Sequence, residues 1–191
     1  MHLISDFYRE LNRELHGRIA RYGANGGKWA ETVRQIYKKT KSKSILDYGA
    51  GKQSLARELS KYDIRSYDPA VPGIDHLPEP ADLVCCLDVI EHVEPECTDA
   101  VISHIRSLAL KAIFVVIACK ASSKILTVGR DAHINVCPIV YSKKKFGPST
   151  IARASSRWRT IWSKNSCGER ASSASSVGYA MTAVTPSSSS N

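Results

Sequence analysis

Apolar residues Ile4, Phe7, Tyr8, Leu11, Leu15 and Ile19 recur every three to four positions. That is the spacing of one face of a helix, so an amphipathic helix is predicted over residues 4–21. The polar, glycine-bearing run Tyr22-Gly-Ala-Asn-Gly-Gly27 breaks the pattern. Gly23 is the expected helix stop, and the two later glycines keep the turn open. A second helix is predicted over 29–39, with Trp29, Val33, Ile36 and Tyr37 on its apolar face. Two such helices read equally well as a lid over a ligand and as cover for the edge of a sheet.

From Ser44 the pattern changes to short continuous apolar runs separated by helical segments. The order is strand to Tyr48, helix 54–61, strand 64–68, loop, strand 82–88, helix 95–108, strand 112–118. Pro69 to Pro80 is short, so any further strand there must be brief. Strands alternating with helices predict right-handed crossovers and a mainly parallel α/β sheet with helices on both faces. In such sheets ligands bind beyond the carboxyl ends of the strands, where Gly49, Asp68 and Asp88 all fall.

The segment Ser44-Ile-Leu-Asp-Tyr-Gly-Ala-Gly-Lys-Gln-Ser54 carries the candidate chemistry. It reads as a buried strand, a tight turn and a helix start. Gly49 and Gly51 reach backbone angles closed to other residues and carry no Cβ, so a ligand can lie against the main chain. The helix start near Gln53 is expected to present free N–H groups and a positive dipole end. Asp68, closing the next strand, can accept hydrogen bonds from two ribose hydroxyls. A dinucleotide site wants Gly-x-Gly-x-x-Gly, and here Ser54 stands at the third glycine. An S-adenosylmethionine site prefers Asp/Glu-x-Gly-x-Gly-x-Gly. Asp47, Gly49 and Gly51 match it, and Gln53 replaces the last glycine.

The third apolar run, Ala81-Asp-Leu-Val-Cys-Cys-Leu-Asp88, continues into Val89-Ile-Glu-His-Val-Glu-Pro95. Together Ile45-Leu-Asp-Tyr-Gly-Ala-Gly51, Tyr67-Asp-Pro69 and Leu87-Asp-Val-Ile-Glu-His-Val93 resemble the class I S-adenosylmethionine-dependent methyltransferases, which have a Rossmann-like fold. The resemblance covers about residues 1–137, and the lead-in from Tyr8 to Trp29 is similar to that of small bacterial and phage members. It implies that Asp47, Gly49 and Gly51 hold the methionine part of the cofactor and Asp68 its ribose. Leu87 and Asp88 then line the adenine or methyl-donor end. Gln53 departs from the family pattern and crowds the helix start.

Composition refines the picture. At 191 residues and 43% hydrophobic content the chain suits one globular domain. Six cysteines without Cys-x-x-Cys spacing read as core residues of a reduced, cytoplasmic protein, not as a disulfide or zinc framework. No apolar run reaches membrane-spanning length, and the start lacks a signal-peptide pattern. Of the net charge of +9, +7 lies after residue 140, so the basic character belongs to the tail. The chain divides into a helical lead-in or lid (1–43), a cofactor-binding Rossmann-like domain (44–138) and a basic, serine-rich, poorly ordered tail (139–191). No pair of alternating strands stands out in 141–191. The antiparallel hairpin usual at the family's sheet edge is therefore expected to be missing or aberrant. A native extension and a frame-shifted end both fit such a tail, and the other frames of the coding DNA distinguish them.

Two histidines are candidate proton acceptors. His92 lies just past the third strand of the chain and His133 follows the fourth. Glu91, His92 and His133, close to Asp88, also form a candidate divalent-metal set. That set is similar to the one in metal-using O-methyltransferases, including small-RNA 2′-O-methyltransferases and the ubiquinone-pathway enzyme. The reading is methyl transfer from S-adenosylmethionine to a small-molecule acceptor. Its rivals are a degenerate cofactor-binding protein, an RNA or DNA methyltransferase guided by the basic tail, and an NAD-dependent oxidoreductase, which Ser54 disfavours.

Overall fold

The computed structural model describes residues 2–118, 120–136 and 176–182. Helix α1 runs Asp6–Arg18, begun by Ser5, whose side-chain oxygen accepts from the Tyr8 N–H. It ends earlier than the spacing predicts, because Ile19 turns to extended angles. Gly23, at φ +70°, lies beyond that end and serves another purpose. Tyr8, Leu11 and Leu15 are buried as predicted, whereas Phe7 on the flank of the stripe is exposed. A short turn Gly26–Trp29 leads into α2, Ala30–Lys39.

Strands β1 (Ile45–Tyr48), β2 (Ile64–Tyr67), β3 (Ala81–Leu87) and β4 (Ala109–Ala118) pair in parallel in the order β2-β1-β3-β4. Helices α3 (Ser54–Glu58) and α4 (Thr98–Leu108) supply crossovers. The strands match the predicted runs within a few residues; β1, β3 and most of β4 are buried on both faces and read as continuous apolar sequence, whereas β2, Ile64-Arg-Ser-Tyr67, is a half-buried edge strand. No strand is described between β2 and β3.

One part of the sheet differs from expectation. Residues Ser176–Thr182 form β5, antiparallel to β4, from Ala112 opposite Thr182 to Ala118 opposite Ser176. Its sequence, Ser-Val-Gly-Tyr-Ala-Met-Thr, lacks clean alternation and carries a glycine, so no strand stands out there. Pairing with the long β4 supplies what local propensity does not. The rest of the tail, including the Lys143–Lys145 run, lies outside the described residues.

The sheet has helices on both faces. Leu46, Val84, Cys86 and Val115 pack against Val101, Ile102, Ile105 and Leu108 of α4. On the other face Ile45, Leu83, Cys85 and Phe114 pack against Val33 and Ile36 of α2 and Leu55 of α3. Cys85 and Cys86 therefore point to opposite faces, as neighbours in a strand must. Cys85, Cys86 and Cys97 are free and buried. A third cluster joins Tyr8, Leu11, Leu15 and Tyr22 to Leu126 and Ala132 of the segment after β4. Among the described residues no helix is long and apolar enough to cross a membrane.

Candidate functional site

The chain leaves β1 towards β2 on one side and returns to β3 on the other. This reversal of strand order is where open α/β sheets bind ligands. Tyr48 is level with Tyr67 of β2 and Cys86 of β3, so Gly49, Asp68 and the pair Leu87-Asp88 emerge together. All of them, with Asp47, Gly51, Glu91, His92 and His133, line one cavity of about 680 Å³. Every candidate site residue named from the sequence is thus gathered at one mouth.

The glycine turn works differently from the sequence reading. Gly49 and Gly51 do have positive φ, +77° and +48°. The space their missing Cβ atoms leave is filled by protein, however. A Cβ on Gly49 would meet Val89 Cγ2 at 2.4 Å, and one on Gly51 would meet the Gly23 carbonyl oxygen at 2.6 Å. The expected free N–H groups are also engaged. Gly49 and Ala50 donate to the Tyr67 carbonyl, Lys52 to that of Gly23 and Gln53 to that of Ala50. The Gly51 N–H donates to Asp68 Oδ2 at 2.9 Å. Helix α3 spans five residues and starts from Gln53 in the left-handed region, φ +54°. That conformation is why a glycine suits the position and why glutamine departs from the pattern.

Asp68 is buried, and its Oδ1 accepts from the Ala70 N–H at 3.0 Å. Each of its oxygens keeps a lone pair for a ligand hydroxyl. His16 Nε2 stands 3.9 Å from Asp68 Oδ2. Asp47 is almost fully buried. Burial, with Asp68 nearby, pushes its carboxyl up to about 7. Asp88 is held by Lys28 Nζ at 2.9 Å through Oδ2, while its buried Oδ1 has no partner among the described residues. Its φ of +55° aims the carboxylate into the mouth.

Glu91 is fully buried. Its Oε1 accepts from the Ala118 N–H at 3.0 Å, and its Oε2 has no partner among the described residues. Burial raises its carboxyl to about 8. His92 Nδ1 lies 2.9 Å from the Ala132 carbonyl, and His133 Nδ1 2.7 Å from the Lys120 carbonyl. A carbonyl only accepts, so both rings carry a proton on Nδ1, which leaves Nε2 as the atom open to a ligand. Burial, then the facing His133, lowers His92 to about 4 and keeps it neutral. The two rings meet edge to face, centroids 4.6 Å apart. One ligand atom from each of Glu91, His92 and His133 lies within 4.8 Å of the others.

Several cavity residues carry no sequence signal. Tyr22 donates to Asn12 Oδ1 at 2.8 Å and lies 3.3 Å from His92 Nδ1. Its neighbour Gly23 packs on Gly51, and Lys52 Nζ returns a bond to the His16 carbonyl at 2.7 Å. The loop after α1 thereby touches both the glycine turn and the histidine pair. Gly23 reads as a helix stop, and nothing in sequence spacing announces its contact with a turn far along the chain.

No family model matches the chain, and no curated protein matches it by sequence. Solved structures do resemble it. Magnesium protoporphyrin IX methyltransferase from Synechocystis PCC 6803 with bound SAH is 20% identical, with 54% of this chain and 61% of that one covered and a TM-score of 0.41. The chain therefore spans about three fifths of that enzyme's length. A Burkholderia thailandensis 1,6-didemethyltoxoflavin-N1-methyltransferase with bound S-adenosylhomocysteine is 13% identical over 69% of this chain and 73% of that one, TM-score 0.49. The protein of the DhpI-SAH complex is 16% identical over 64% and 76%, TM-score 0.43. At these identities and TM-scores the likeness assigns neither family nor substrate. By its strand order, the glycine turn after β1 and the acid closing β2, the chain has a Rossmann-like, mainly parallel α/β fold.

Proposed function

We propose that this protein binds S-adenosylmethionine and transfers its methyl group to a small-molecule acceptor. The observation that carries the reading is the convergence of the Gly49–Gly51 turn, Asp68 and Leu87-Asp88 on one 680 Å³ cavity. The residues suit the cofactor. Asp68 has acceptor capacity left for ribose hydroxyls, and the buried Asp88 Oδ1 lacks a donor that a bound ligand would supply. Asp47 and Leu87 line the same cavity. The bound cofactor would supply an electrophilic sulfonium methyl, and the chain's part is then to position the acceptor and exclude water. Calorimetric titration with S-adenosylhomocysteine tests this. Saturable binding that D68A weakens is expected, and no heat with no thermal shift would refute it. Binding without methyl transfer across an acceptor screen would favour the degenerate-protein alternative. RNA or DNA affinity that falls steeply with salt would favour the nucleic-acid one.

A second reading rests on the Glu91, His92 and His133 group. Its donors suit a divalent cation: a buried carboxyl oxygen without a partner among the described residues and two imidazoles, each with Nδ1 held by a backbone carbonyl. These residues would hold the metal, which would supply a Lewis acid for an acceptor oxygen. Without it, His92 is too weak a base to take a proton near neutrality, which leaves His133 at the same cavity as the candidate proton acceptor. Titrating the full chain with Zn²⁺, Mn²⁺ and Mg²⁺ should show one site that H133A abolishes. No binding of any of the three removes the metal.

A further inference from the structure

The mouth of the cavity carries a charge pattern that positioning a methyl donor does not need. Arg21, from the loop after α1, and Lys120 and Lys124, from the segment after β4, all line it. Among the described residues none of the three forms an ion pair. Lys124 Nζ donates to the neutral Ser123 Oγ at 2.9 Å. The one acid between residues 120 and 136, Asp131, instead accepts the main-chain N–H groups of Ser122 and His133 on its Oδ1, at 3.1 and 2.7 Å.

The other acids of the cavity form no ion pair with these cations among the described residues. Asp68 is engaged by two main-chain N–H groups, Asp88 by Lys28 and Glu91 by the Ala118 N–H. The mouth therefore gathers three cations that have no ion-pair partner among the described residues, although residues 1–140 are nearly balanced overall.

A plain solvated lysine would sit on a loose loop, and this segment is fixed. The Lys120 carbonyl is tied to His133, and Arg18 donates to the Ile125 carbonyl at 2.8 Å. Leu126 and Ala132 are buried against α1. Cations on a fixed segment are preorganised for a charged ligand, because less ordering entropy is lost on binding.

We infer that the acceptor carries an anionic group, a phosphate or a carboxylate, that Lys120, Lys124 and Arg21 hold at this mouth. The word "acceptor" rests on the methyltransferase reading, while the anion site itself does not. A small molecule is favoured over a nucleic acid because the cations sit at a cavity and not along an extended face.

The test is calorimetric titration of the full chain with inorganic pyrophosphate at fixed ionic strength, with and without saturating S-adenosylhomocysteine. Binding is expected to weaken by about tenfold or more in K120A/K124A, the loss of one or two charge-assisted contacts. S-adenosylhomocysteine affinity should stay within about twofold. The tail variant K143A/K144A/K145A should bind pyrophosphate like the parent chain. No pyrophosphate binding, or binding that only the tail variant weakens, overturns the inference. Binding of a short RNA but not pyrophosphate, lost in K120A/K124A, overturns the small-molecule assignment in favour of nucleic acid. Failure of S-adenosylhomocysteine to bind sinks the methyltransferase reading alone, since the pyrophosphate titration still decides the anion site.

Discussion

Gly49→Ala is the sharpest perturbation of the turn. The three atoms nearest the new Cβ all belong to Val89: Cγ2 at 2.4 Å, Cγ1 at 2.9 Å and Cβ at 3.2 Å. The first two distances are far inside van der Waals contact, so the Val89 side chain or β1's exit must move. Overpacking of this kind costs about 1–3 kcal/mol. An alanine at φ +77° adds about 1–2 kcal/mol of left-handed strain. Val89→Ala removes both Cγ atoms and leaves the strain untouched. A double-mutant cycle on G49A and V89A, read by urea denaturation, should therefore show a favourable coupling of about 1–3 kcal/mol. The double variant should stay below V89A by the strain and by the 3.2 Å contact with the remaining Cβ of residue 89. Coupling under about 0.5 kcal/mol would refute the claim that Val89 fills the glycine's missing side chain. G51A offers a contrast, since its clash is with the backbone of Gly23, which no side-chain deletion relieves.

Q53G should raise stability by about 0.5–1 kcal/mol, because glycine relieves the φ +54° strain at an exposed position; a lower melting temperature would count against it. Asp47 has a folded-state pKa raised to about 7, so it contributes stability that is complete below its unfolded value of 3.8 and is lost as pH rises towards 7. The stability difference between D47N and the parent chain should accordingly change in favour of D47N over that window, by at most about 1.4 kcal/mol per pH unit, and a flat difference across pH 4–7 would contradict it. D68A leaves the Gly51 and Ala70 N–H groups without their acceptor, so S-adenosylhomocysteine affinity should fall by about tenfold to a hundredfold, with D68N intermediate; unchanged affinity by calorimetry would dismiss Asp68 from the site.

Much of the fold was readable from the residues. Continuous apolar runs such as Ala112–Ala118 mark strands buried on both faces, and their alternation with helical spacing dictates a parallel sheet. Parallel topology sends every loop of one kind to the same edge, so Gly49, Asp68 and Asp88 had to meet there. Strand β5 escaped notice because antiparallel pairing with β4, not its own sequence, makes it a strand.

The sequence by itself determined that Gly49, Asp68 and Asp88 share one end of the sheet, because strands alternating with helices run parallel; which strands are neighbours was decided by pairing. What the turn does for the site was decided only by tertiary contact. Gly51 is required by Gly23, Gly49 by Val89, and the N–H groups expected to face a ligand are satisfied inside the protein. The same holds for the titrating groups: the raised Asp47 and Glu91 and the lowered His92 owe their shifts first to burial. Burial and close approach between segments distant along the chain are properties of packing, and no residue type or spacing encodes them one position at a time.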